Sequence, residues 1–152
     1  MNNSKNDHCQ ENSYAEIKKV LNSYRVLKKK IEDLTKQLGK IKFELEKIYS
    51  HNYSPSKLSE KNRSKINDLK LEKLDLKDRI ERLKNKSIAQ KMKIERKIDL
   101  VQDEEATQVL ELYYIKLLSI KDIAGLLFVS EVTARRRFSR GVHLIKDQGF
   151  IY

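Results

Sequence analysis

The sequence predicts an all-α protein, a long helical hairpin of coiled-coil type followed by a compact helix-turn-helix domain. Three observations carry that expectation. One apolar seam of alternating three- and four-residue steps runs from Ile17 to Ile48. The chain holds one proline and four glycines in 152 residues, few interruptions for helices. Its last third breaks into short segments, each opened by a Ser or Asp of the type that caps helices.

The first long helix follows from the seam Ile17, Val20, Tyr24, Leu27, Ile31, Leu34, Leu38, Ile41, Leu45 and Ile48, with lysines and glutamates on the other faces. A 3.5-residue period sustained this long asks for a partner helix. Upstream, residues 1–13 are polar and lack apolar periodicity, so a disordered tail is expected there. Downstream, Pro55 lies among serines in SHNYSPSK and ends the helix in a loop.

Apolar residues resume at Leu58, Ile66, Leu69, Leu76, Ile80, Leu83, Ile88, Met92, Ile94, Ile98 and Val101, with polar interruptions such as Lys73 and Ser87. A second long helix with a less regular seam is expected, closing a hairpin over 14–101. Such a hairpin leaves Leu21, Phe43, Leu71 and Leu74 on its flanks, which predicts self-association, to a homodimer, through the long helices.

A DNA-binding domain is expected over 103–152, able to fold as a separate fragment. Asp103 caps its first helix, about 104–117, with Glu104 and Glu105 at the positive end of the helix dipole. Ser119 and Asp122 form a box-like cap for a helix over 120–127, with Ile120, Ile123, Ala124 and Leu127 on one face. Phe128 and Val129 make the turn, and Ser130 caps the helix 131–146. On that helix Ala134, Phe138, Gly141, Val142 and Ile145 share one sector and face the core. The opposite sector holds Val132, Arg135, Arg136, Ser139 and His143, with Glu131 and Arg140 at its margins. Arg137 sits beside the core sector, suited to a phosphate or to an acidic residue of the two preceding helices.

Charge narrows the function. Thirty-three Lys and Arg oppose 22 Asp and Glu, a net +11 that favours polyanionic partners. On the last helix Glu131 is the only acid between Ser130 and Lys146, so its arginines are not balanced as on an ordinary solvated face. Arginines near the start of such a helix suit the major groove, where the guanidinium fork grips guanine O6 and N7.

The run LELYYIKLLSIKDIAGLLFVSEVTARRRFSRGVHLIK resembles region 4 of sigma-70-type factors. The matching residues are Leu112, Tyr114, Ile115, Ser119, Ile123, Ala124, Leu127, Val129, Ser130, Thr133 and Arg137; Phe128 replaces the usual turn glycine and Ala134 a branched aliphatic. Over about 14–147 the chain is similar to small phage late-transcription regulators of the ArpU/RinA type. The resemblance implies an activator of phage or mobile-element late genes that binds double-stranded promoter DNA and contacts host RNA polymerase. By position it makes Glu131, Val132, Arg135 and Arg136 base readers, to which the helix face adds Ser139. Ser119, Lys121, Thr133, Arg137, Arg140 and His143 are the expected phosphate contacts. The hairpin is also open to capture by a regulatory protein.

A small terminase subunit for DNA packaging is the competing class, although its DNA-binding domain usually precedes the oligomerisation region. A purely structural coiled coil leaves the arginine face unexplained. No glycine-rich phosphate loop and no nucleophile beside a histidine is found, so neither catalysis nor a cofactor is expected. His8 and Cys9 lack further ligands at metal spacing, and His51 and His143 stand alone, so no metal is expected. The lone cysteine and the absence of a long apolar run fit a cytoplasmic protein rather than a membrane one.

Overall fold

The computed structural model describes the backbone of residues 4–51 and 59–148, and the side chains from residue 14 onward within those ranges. Among them the chain is entirely helical: α1 (Ser4–His51), α2 (Glu60–Asp99), α3 (Glu104–Leu110), α4 (Ile120–Leu127) and α5 (Glu131–Asp147). The Pro55 loop and Leu58 lie outside the described residues. The backbone of α1 runs from Ser4, so the helix takes in part of the polar stretch, and residues 1–3 lie outside the described residues. Once a helix exists, each added residue gains a hydrogen bond without a new nucleation cost, so a polar stretch can prolong it.

Two compact units emerge, and their boundary does not fall at 101–103. One contains α1 up to Val26 and everything from Ile88 onward; the other is Leu27–Ser87. The reason is visible in the first unit's core. Ile17, Leu21 and Tyr24 of α1 and Ile94 and Ile98 of α2 are buried together with Val109, Leu110, Tyr114, Ile123, Phe138, Val142 and Ile145. Leu21, expected on an open flank, is fully buried. Helices α3 to α5 therefore share their core with both long helices.

In the second unit Ile31, Leu34, Ile41 and Leu45 bury against Ile66, Leu69, Leu76 and Ile80. Lys70 near the start of α2 lies 6.0 Å from the ring of Tyr49 near the end of α1, as antiparallel packing requires. The α2 seam is more regular than its apolar residues suggest. Half-buried Lys73 and buried Ser87 occupy seam positions, and the Ser87 hydroxyl donates to the Lys84 carbonyl at 2.8 Å. Ile88 and Met92 face outward instead. Steps of three and four from Leu83 lead to Ser87, so position on the helix overrides hydrophobicity there.

Candidate nucleic-acid interface

Helix α3 starts where Asp103, in extended conformation, accepts a hydrogen bond from the Ala106 N–H at 3.0 Å. It then widens into a π-helical turn over Glu111–Ile115, where the expected helix 104–117 is neither uniform nor as long. The chain leaves that turn through Leu117 at φ 61, and the Leu118 N–H reaches back to the Leu112 carbonyl at 3.0 Å. Arg25 of α1 fastens this end. Its Nη2 donates to the carbonyls of Tyr113 and Leu118 at 3.0 and 3.2 Å, and its guanidinium stands 4.4 Å from the Tyr113 ring centre. A cation at a helix C-terminus meets the negative end of its dipole. Burial beside these groups pushes the Tyr114 phenol far above its ordinary range.

Helix α4 is capped as its sequence predicts. The Ser119 hydroxyl accepts from the Asp122 N–H at 3.1 Å and donates to the Asp122 carboxylate at 2.6 Å. Its other end is closed by Phe128 at φ 55, ψ 41. The Val129 N–H bonds the Ala124 carbonyl and the Phe128 N–H bonds that of Gly125, a Schellman closure with phenylalanine where glycine is favoured. Two residues later Ser130 caps α5, accepting from the Thr133 N–H at 3.1 Å and donating to Thr133 Oγ1 at 2.9 Å.

All five residues of the predicted inner stripe of α5, Ala134, Phe138, Gly141, Val142 and Ile145, are buried. Gly141 lets α3 approach, since a Cβ there would stand 2.6 Å from Leu110 Cδ1. Phe138 packs edge-on to Tyr113, with ring centres 4.8 Å apart. This packing turns the other side of α5 outward. Glu131, Val132, Arg135, Arg136 and Ser139 are all exposed. Glu131 and Arg135 form a loose pair at 3.6 Å, one turn apart. Arg136 has no ion pair among the described residues.

The expected phosphate contacts divide differently. Arg137, its side chain 18% exposed, pairs with Glu105 at 2.9 Å. Arg140 meets Asp103 through Nε at 2.6 Å and Glu105 through Nη2 at 3.4 Å. The capping hydrogen bond from Ala106 and then Arg140 hold the Asp103 carboxyl below its ordinary range. Of the two partners the sequence left open for Arg137, a phosphate or an acid of a preceding helix, Glu105 of α3 supplies the second, and the same close packing of α3 on α5 brings Arg140, expected only at phosphate, to Asp103. His143, placed on the outer sector by helical geometry, stacks on Tyr14 of α1 with ring centres 4.7 Å apart. Ser119 and Thr133 are engaged in capping. Lys121 is exposed without a polar partner among the described residues.

The arrangement thus separates arginines that hold α5 to α3 from arginines offered to solvent at its N-terminal half. Among the described residues, no three His, Cys, Asp or Glu side chains are placed to hold a metal ion. No described helix is long and apolar enough to cross a membrane. No curated protein and no solved structure matches the chain. The stretch from the end of α1 through most of α5, residues 47–143, matches the family model described as "Protein of unknown function (DUF1492)". As that match spans more than half of the sequence, the chain belongs to the DUF1492 family.

Proposed function

We propose that this protein is a sequence-specific, non-enzymatic DNA-binding activator of phage or mobile-element late genes that places α5 in the major groove. The observation that carries the reading is the outward face of α5, where Val132, Arg135, Arg136 and Ser139 are exposed opposite a fully buried stripe. A capped helix with arginines on its free N-terminal half suits direct readout of base edges. The pair α4 and α5, joined by the turn at Phe128, acts as the helix-turn-helix, and its likeness to sigma region 4 favours a promoter as the target. The second unit acts as a coiled-coil hairpin whose exposed Phe43, Leu71 and Leu74 join two copies. Host RNA polymerase is the expected protein partner.

Selection of the full-length protein on a pool of random duplexes tests this reading. Enrichment of one sequence, lost when Arg135 and Arg136 are both replaced by alanine, is the expected result. Equal recovery of all duplexes at moderate salt would leave only electrostatic attraction, which carries no sequence information.

A further inference from the structure

Phe128 is the most exposed large apolar residue of the described chain, at 95%. It also occupies a left-handed backbone conformation, φ 55, that a phenylalanine adopts only against steric resistance. Neither property helps the fold: the ring has no core contact to gain, and glycine would close α4 with less strain. Backbone strain retained at an exposed side chain points to a use for that side chain. Val132, four residues on and in the first turn of α5, is exposed at 74%. Four residues of chain span at most roughly 14 Å, about the width of a major groove. On α5, Val132 lies three and four residues before Arg135 and Arg136, within side-chain reach of both. Val132 therefore stands beside cationic groups, with Phe128 one short stretch of chain away, which favours a polyanion over an apolar protein surface.

We propose that Phe128, together with Val132, packs on thymine methyl groups in the major groove beside the bases that Arg135 and Arg136 address. The thymine C5-methyl is the apolar group that the major groove presents, and contact with it distinguishes a T·A pair without a hydrogen bond. This rests on the DNA-reading role proposed above and adds to it a residue of the turn, not of the helix.

The test uses the full chain and the duplex enriched by selection, with each thymine replaced singly by deoxyuridine, which removes only the methyl. Binding of the unaltered protein should weaken about four-fold at one or two positions, the ratio expected from burying one methyl group. Phe128→Gly, which keeps the turn, should bind the thymine duplex more weakly and become indifferent to deoxyuridine at one of them; Val132→Ala should do so at the other. Equal binding of thymine and deoxyuridine duplexes at every position would overturn the proposal while leaving sequence-specific binding intact. So would an undiminished thymine preference in Phe128→Gly. If that variant binds normally yet fails to activate transcription, Phe128 serves a protein partner, and the methyl contact is likewise refuted. Failure to enrich any duplex would instead refute the DNA-reading role itself, and this inference with it.

Discussion

Gly141 of α5 lies so close to Leu110 of α3 that a Cβ on it would come within 2.6 Å of Cδ1 and 2.9 Å of Cγ. Both contacts are with a fully buried side chain, which has little room to withdraw. Gly141→Ala should therefore destabilise the protein by about 1–3 kcal/mol, the usual range for overpacking. Combining it with Leu110→Ala should cost less than the sum of the two changes, because each relieves the other. Urea denaturation of the four proteins measures this directly. Additive losses would mean that α5 moves as a body instead.

The Asp103 carboxylate joins two tasks, capping α3 and pairing with Arg140. Its folded pKa lies below the ordinary 3.8, so its contribution to stability is complete above the unfolded value and is lost as pH falls through the lower folded one. Thermal midpoints should hold steady above about pH 5 and decline below about pH 4. Asp103→Asn retains a capping oxygen but loses the charge, so its midpoint should be lower at neutral pH and its acid decline shallower. Parallel acid limbs in the two proteins would assign the decline to other carboxylates.

The shared core bears on whether the DNA-binding segment can stand alone. Ile17, Leu21, Tyr24, Ile94 and Ile98 all belong to the core that α3 to α5 complete. A fragment covering 103–152 should consequently lack cooperative thermal unfolding, contrary to what its sequence alone suggests. In the full chain Ile98→Ala should cost about 2–5 kcal/mol. Sharp unfolding of the fragment, with the near-UV signal of packed tyrosines, would show that α3 to α5 suffice.

Arg136 and Arg140 should separate in DNA-binding measurements. Arg136→Ala is expected to cost about 1–3 kcal/mol on the selected duplex and to relax preference at one base pair. Arg140 is committed to Asp103 and Glu105, so Arg140→Ala should lower the thermal midpoint while changing the salt slope by less than about one unit, the loss expected for a full phosphate contact. Salt titrations on matched and scrambled duplexes distinguish the two. A full unit lost with Arg140→Ala would show that it leaves its acidic partners on binding.

Phe43, Leu71 and Leu74 remain exposed on the second unit, and light scattering should give more than a monomer's mass. Phe43→Glu with Leu74→Glu should return the chain to a monomer. A monomeric parent protein at every concentration would refute association through this unit.

What could be read from the sequence was what local chemistry decides. Asp103, Ser119 and Ser130 each satisfy backbone donors within three residues, and the inner stripe of α5 follows from its 3.6-residue period. The turn at Phe128 was legible for the same reason, since a helix that stops there needs a left-handed residue. An acidic partner for Arg137 on a preceding helix was legible, though not that it is Glu105, and the pair Arg140–Asp103 was not, because 32 and 37 residues separate the partners. Nor was the swap of Ser87 for Ile88 on the α2 seam, where ranking residues by hydrophobicity selects the wrong neighbour. The π-helical turn has no marker in ELYYI itself; Arg25, which binds its Tyr113 carbonyl, lies 88 residues earlier.

That last separation sets an order of events during synthesis. The segments of the second unit leave the ribosome early, and their pairing closes a comparatively short loop. Arg25 must wait for Tyr113 and Leu118, 88 and 93 residues later, and non-local closures of this kind form late. Until then Ile17, Leu21 and Tyr24 lack the α3–α5 part of their core. The nascent chain thus carries an apolar stripe on α1 that stays open until α3 to α5 arrive to conceal it.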